Sequence, residues 1–327
     1  MRALITGDRG FLGRHFTTEL RRRGWEVYGL DVKASSSQDC RAYFRKYLSR
    51  GADYQEANAG YFDLVVHCAA VVGGRETIER DPLATAESLS IDAEMFRWAA
   101  VARPGRVLYF SSSAAYPVDL QLGPSPEQKD KLAARKIYMD FAKAYALRED
   151  AIWDYCDCDP GPRLSPPDEV YGWSKVTGEL LADRLRATGV PVTVVRPFSG
   201  YGEDQDPSYP FRAILDRVKA LEPGQPLELW CGDCVRDWIH VDDLVAGALA
   251  VADSGTEEPV NLCTGEPTSF ILLAQMMLRA AGKEAEIRPN PEAPQGVAYR
   301  VGDPTRMLRL YQPQVSLEEG IRRALAG

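Results

Sequence analysis

Arg2-Ala-Leu-Ile-Thr6-Gly7-Asp-Arg-Gly10-Phe-Leu-Gly13-Arg14 decides how this chain is read. Residues 2–6 are an apolar run of strand length, and Phe11, Leu12, Phe16 and Leu20 fall on one side of a helix. Gly7 permits a tight turn between the two, Gly10 removes a side chain that would block a pyrophosphate, and Gly13 lets helix and strand pack closely. Phosphates would sit at the helix N-terminus, where free N–H groups and the dipole favour negative charge, with Arg9, Phe11 and Leu12 alongside. Glycines so spaced also occur in plain structural turns. Here, however, a second strand follows, Trp25-Glu-Val-Tyr-Gly-Leu-Asp31, and it ends in an acid. A carboxylate at that place hydrogen-bonds an adenosine ribose and repels a 2′-phosphate, so the expected cofactor is NAD. Lys33 nearby pulls slightly the other way, and Asp31 could equally end the strand as a turn residue.

A chain of 327 residues can build a doubly wound α/β domain and a smaller companion. The formal charge of −8 and the lack of a basic stripe argue against nucleic acid as a partner. An anionic ligand must then be held by a few placed arginines. Met1 leads straight into a strand with no signal pattern, and no segment approaches the apolar length of a bilayer span. Seven scattered cysteines fit a reducing compartment better than a disulfide framework. The expectation is a soluble, cytoplasmic protein.

Phe62 to Ala70 reads as a buried parallel strand running into small residues, with Ala69 and Ala70 leaving room for close approach of a cofactor. His67 at its end is expected to be a hydrogen-bonded scaffold residue. Val71 to Arg75 is a loop placed to touch a ligand, with Gly74 and Arg75 at its tip. Arg106 to Phe110 is the next strand, and it discharges into Ser111-Ser112-Ser113-Ala114-Ala115-Tyr116-Pro117. Residues beyond the carboxyl ends of such strands line the ligand crevice, although serines there also serve as turns and caps. Between 118 and 167 the composition changes: a helix is expected from about Glu127 to Ala151, followed by a proline-rich exit.

Tyr171 and Lys175 are four residues apart on the next helix and share a face. An ammonium one turn from a phenol favours the phenolate, which makes a base available near neutral pH. Val192 to Pro197 is a further buried strand, Arg236 to Val241 another, and Asp242-Asp243 is expected to cap the helix after it. Ser316 to Glu319 is a capping box opening the last helix.

Taken in order, Thr6-Gly7-x-x-Gly10-x-x-Gly13, His67-x-Ala69-Ala70, Ser111-Ser112-Ser113, Tyr171-x-x-x-Lys175, Arg196-Pro197 and Arg236-Asp237-Trp238-Ile239-His240-Val241-Asp242-Asp243 resemble the extended short-chain dehydrogenase/reductases, specifically the nucleotide-sugar epimerases and dehydratases. The resemblance implies a Rossmann doubly wound parallel sheet over residues 1–198, with a helical insert at 118–167 and a return of the chain at 237–262. Residues 199–236 and 263–327 would form an interleaved domain for the nucleotide diphosphate sugar (UDP-, GDP- or dTDP-). It further implies Tyr171 as general base and Lys175 as the residue that positions the nicotinamide ribose, with Pro197 beside the cofactor. Ser112 would hold the sugar hydroxyl, although counting forward from the strand gives Ser113. Arg236 is a natural diphosphate clamp through its forked donors, and Arg300 is a second candidate. Family members commonly dimerise through the tyrosine-bearing helix.

The departures narrow the reaction. Where family dehydratases carry an Asp-Glu pair this chain has Ser113 and Ala114, which cannot do that acid–base work. Decarboxylases tend to have Glu, and 3,5-epimerases Cys, at the place of Ala114. Subtraction leaves 4-epimerisation as the expectation. A catalytically silent dinucleotide sensor would have no use for the tyrosine, lysine and serine together, and net oxidation or reduction of a sugar is a third reading. Cys156, Cys158, Cys231 and Cys234 could be imagined as a zinc site, but the last two read more simply as a turn before Arg236, so no metal is expected.

Overall fold

Alternate residues of the first strand point into two different cores. From β1 (Arg2–Thr6), Ala3 and Ile5 join one apolar cluster and Leu4 the other. The same alternation runs through β3 (Leu64–His67), β4 (Val107–Phe110) and β5 (Val192–Pro197), so the sheet is buried on both faces. β2 (Glu26–Leu30) and β9 (Val260–Leu262) complete six parallel strands in the order β2-β1-β3-β4-β5-β9. The computed structural model describes residues 1–35, 38–73, 81–123, 146–152, 166–290 and 296–327.

One face is covered by α1 (Phe11–Arg22) and α7 (Val241–Ser254), which contribute Phe16, Leu20, Leu244 and Ala248. The other is covered by α2 (Cys40–Leu48), α4 (Pro82–Ala102) and α5 (Glu169–Arg186), with Phe44, Met95, Trp98, Ala182 and Leu185. α3 (Ala52–Ala57) lies beside α4. The strand order reverses between β1 and β3, and beyond the carboxyl ends at such a switch point open α/β sheets place their ligands.

A second, smaller body carries its own core. β8 (Val235–His240) pairs with β10 (Pro267–Ser269), β12 (Tyr299–Arg300) and β6 (Ser199–Tyr201), while β7 (Leu227–Trp230) pairs with β11 (Ile287–Asn290). α6 (Pro210–Ala220), α8 (Phe270–Ala280) and α10 (Leu317–Ala326) pack with them through Phe211, Leu215, Leu273, Met277 and Ile321, and α9 (Thr305–Leu308) lies against β9. The chain returns to the large sheet through α7 and β9. Residues 237–240, expected to return with them, are paired in the second sheet as part of β8.

Three local expectations are corrected. The helix expected from Glu127 to Ala151 lies mostly outside the described residues, and its described end is not α-helical: Leu147 bridges Gly302 and Glu149–Ile152 is a 3-10 turn. α7 is capped by His240, whose Nδ1 accepts from Asp242 N–H at 3.2 Å, and not by Asp243. Asp243 is committed elsewhere, accepting from Tyr311 O–H and from Gln314 and Val315 N–H, which fastens the C-terminal segment. Cys231 and Cys234 are joined in a disulfide, Cα atoms 5.4 Å apart, so the expectation of free thiols fails at this pair. The bridge closes one turn between β7 and β8 and ties no distant segments. Cys156 and Cys158 lie outside the described residues.

Candidate active site

Gly7 has φ +70°, and a Cβ there would stand 2.9 Å from Ala69 N, so the turn lies directly on the small residues that end β3. A Cβ on Gly13 would meet Gly7 O at 2.0 Å. α1 therefore starts as close to β1 as a backbone can, and its N-cap, Gly10, offers no side chain to its first N–H groups. Such a start leaves backbone N–H groups open to an anion, with Arg9, Phe11 and Leu12 bordering them. Asp31 sits beside this turn, buried, accepting from Arg9 N–H at 2.9 Å and Lys33 N–H at 2.7 Å. A carboxylate so held retains lone pairs for ribose hydroxyls. Sequence reading missed Asp8, which burial and its neighbour Asp31 push above the ordinary carboxyl range. Its signal was Gly29, the strand glycine whose absent side chain leaves room for the Asp8 carboxylate. Two acids at this end strengthen the case against a 2′-phosphate.

Ala70 follows Ala69 at the cleft floor, and Pro197 closes β5 in register with Leu262. The loop after β4 meets the first turn of α5: Asp168 N–H donates to Ala114 O at 3.1 Å. Gly172 makes this approach possible, since a Cβ there would lie 2.4 Å from Ala114 O. The structure thus brings the serines against the turn that carries Tyr171. Ser111 is spent inside, donating to Glu179 at 2.5 Å. Ser112 accepts from Ala114 N–H at 3.1 Å and keeps its own hydrogen to donate, while Ser113 Oγ has no protein partner among the described residues. Tyr171 is half-buried at the cleft. Lys175 is 4% exposed; its Nζ donates to Phe110 O at 3.0 Å and lies 5.8 Å from the Tyr171 ring.

Beneath this pair the structure holds charges that sequence reading left without a role. Arg196 is fully buried and makes a bidentate pair with Glu179, Nε to Oε1 at 2.8 Å and Nη2 to Oε2 at 2.6 Å. The same guanidinium reaches Tyr116 Oη and Glu149 O, which anchors residues 146–152 on the sheet. His67 is the scaffold residue expected: Ala69 N–H donates to Thr6 Oγ, which is hydrogen-bonded to His67 Nδ1 at 2.8 Å, and His67 Nε2 is hydrogen-bonded to Asp92 at 3.1 Å.

On the smaller sheet, Arg236 and Arg300 are register partners across β8 and β12 and so share one face. Arg236 lies over the Phe270 ring, 5.4 Å from its centre. Arg300 is held by Gln121 at 2.5 Å and by Asp168 at 2.8 Å, three residues before Tyr171, and its Nη1 has no protein partner among the described residues. Gly74 and Arg75 lie outside the described residues.

Such a sheet, with a side-chain-free turn over an uncapped helix start at its switch point, defines a dinucleotide-binding α/β protein of the Rossmann class. The chain belongs to the NAD dependent epimerase/dehydratase family, whose profile matches residues 3–263, and so to the NAD-dependent nucleotide-sugar enzymes among the extended short-chain dehydrogenases. It is 28% identical to a dTDP-4-dehydro-6-deoxy-D-allose reductase of Streptomyces bikiniensis, over 98% of this chain and 94% of that one. It is 25% identical to a GDP-L-fucose synthase of Azorhizobium caulinodans, over 98% and 93%. The solved UDP-glucose 4-epimerase of Thermotoga maritima with UDP-glucose superposes with TM-score 0.74 at 21% identity, covering 100% of this chain and 98% of that one. Among the described residues no helix is long and apolar enough to cross a membrane.

Proposed function

We propose that this protein inverts C4 of a nucleotide diphosphate sugar through a transient 4-keto sugar. The reading is carried by Tyr171, one helical turn from a buried lysine and on the helix turn that Asp168 N–H ties to Ala114 O of the serine loop. Tyr171 as phenolate takes the proton from the C4 hydroxyl, and Ser112 donates to that oxygen to orient it. Lys175, held by Phe110 O, supplies the positive charge that favours phenolate. Bound NAD supplies the redox half of the chemistry and is regenerated, so no net oxidation results. Arg236 and the remaining donor of Arg300 hold the diphosphate while the 4-keto sugar turns over, and Tyr171 returns the proton to the oxygen. Ser113 and Ala114 lack the acid–base pair that eliminating water would need. The protein works in the cytoplasm as a homodimer.

A second reading, net reduction of a 4-keto sugar, uses the same residues and is favoured by the Streptomyces bikiniensis reductase. The two separate cleanly. The protein is incubated with UDP-, GDP- and dTDP-sugars and, with NADH added, with their 4-keto derivatives; products are resolved chromatographically, and NADH absorbance is followed. Epimerisation leaves the absorbance constant as product accumulates; reduction consumes NADH mole for mole. Tyr171→Phe should bind NAD unchanged and lose about 10²–10⁴-fold in kcat, and undiminished turnover would remove Tyr171 as the base.

A further inference from the structure

Lys175 is a buried ammonium, and among the described residues no carboxylate lies within ion-pair distance of it. Leaving a charge uncompensated in that setting is costly. Glu179, one turn further along α5, cannot compensate, because both its oxygens are taken by Arg196 and one also by Ser111. Among the described residues, Asp92 of α4 is another buried carboxylate on this side of the sheet, 1% exposed. Its Oδ2 accepts from Tyr109 O–H at 2.6 Å and its Oδ1 from His67 Nε2 at 3.1 Å. Lys175 Nζ lies 5.4 Å from the centre of that same Tyr109 ring, with the His67 ring stacked at 6.2 Å. A phenol that donates to a carboxylate has a more electron-rich ring, which attracts a cation over its face more strongly.

We propose that Asp92 is a positioning residue: it is the counter-charge that holds the Lys175 ammonium in its buried place, with Tyr109 touching both. The titratable groups facing Lys175 are Tyr171 and Glu179 on its own helix, Tyr109 on β4, Asp92 on α4, His67 and Cys68 at the end of β3, and Arg196 beyond Glu179. His67 is hydrogen-bonded to Asp92 in the chain from Thr6, and Arg196 is neutralised by Glu179. Burial disfavours ionised Asp92, but Lys175, His67 and Tyr109 outweigh burial and hold its carboxyl below the ordinary range. The same ammonium opposes the upward push of burial on the Cys68 thiol.

The proposal deepens the reading of Tyr171 and Lys175 as the reacting pair, and its first test does not depend on that reading. The protein without added substrate is labelled with trace acetic anhydride at pH ~8, and acetylation of Lys175 is measured by peptide mass spectrometry relative to the N-terminal amine. Asp92→Asn should raise the labelling of Lys175 about tenfold, and Asp92→Glu, which keeps the charge, should restore slow labelling. Equal labelling in folded Asp92→Asn and wild type overturns the proposal. Should Asp92→Asn not fold, Tyr109→Phe carries the test: labelling rises about two- to fivefold, and a rate equal to wild type overturns it. In turnover, the alkaline limb of the kcat profile should move to lower pH in Asp92→Asn and stay in place in Asp92→Glu. A loss of kcat with an unmoved profile and unmoved labelling would mean that Asp92 only packs the core. Faster labelling with no sugar turnover in any variant would leave the counter-charge standing and count against the proposed reaction.

Discussion

Asp237 is completely buried on β8 and ties two other stretches of chain to that strand. Its oxygens accept from Thr264 N–H and O–H at 2.7 Å each, from Gly265 N–H at 2.8 Å and from Gly302 N–H at 3.3 Å. Burial pushes its carboxyl from 3.8 to about 6, against the pull of those donors. A carboxyl that holds its proton more tightly when folded costs stability as pH rises through the interval between those two values, and the cost is constant above it. Asp237→Asn should therefore flatten the pH dependence of stability in that interval. Urea melts across pH measure the slope, and a variant slope equal to wild type over that interval would remove Asp237 as its source. Sequence placed Asp237 within the motif beginning at Arg236, but nothing in its neighbours told which distant N–H groups it would collect. The same limit hid Asp92 and Glu179, whose partners are 25 and 17 residues away.

The elements themselves were far more legible, because strand alternation and helical spacing are local. β1, β3, β4 and β5 announce themselves as apolar runs, and Tyr171 and Lys175 share a turn by spacing alone. Legibility failed where a longer-range partner decided the local structure. Asp243 has the composition of a cap but is bought off by Tyr311, Gln314 and Val315, which leaves the cap to His240. Leu147 leaves its expected helix to bridge Gly302. Gly178 illustrates the same tension within α5. An alanine there gains about 1 kcal/mol of helix propensity, yet its Cβ would stand 1.7 Å from Tyr109 Oη. Tyr109 is buried and hydrogen-bonded to Asp92, so it cannot move cheaply. Gly178→Ala should be destabilising by about 1–3 kcal/mol, seen as a lower Tm with unchanged helix content by circular dichroism.

At the scale of the whole molecule, α4 and α5 pack side by side on one face of the sheet. Trp173 and Leu180, two turns apart on α5, remain 50% and 46% exposed. Two large apolar side chains on one stripe of a core helix suit burial against a second copy. Replacing both by glutamate should convert the proposed dimer to monomer in sedimentation velocity, with the melting behaviour of the single subunit kept. A monomer in the unmodified protein would remove the dimer from the proposal.

The connectivity of the large sheet has a consequence for synthesis. Its last strand, β9, and the helix that covers Phe16 and Leu20, α7, come from residues 241 to 262, long after the turn they help to hold. While a ribosome is still translating those residues, the growing polypeptide exposes the open edge of β5 and the apolar side of α1. The nucleotide pocket cannot mature in step with its own N-terminus, and a chaperone that shields bare apolar surface has its longest window on this protein before residue 262 has emerged.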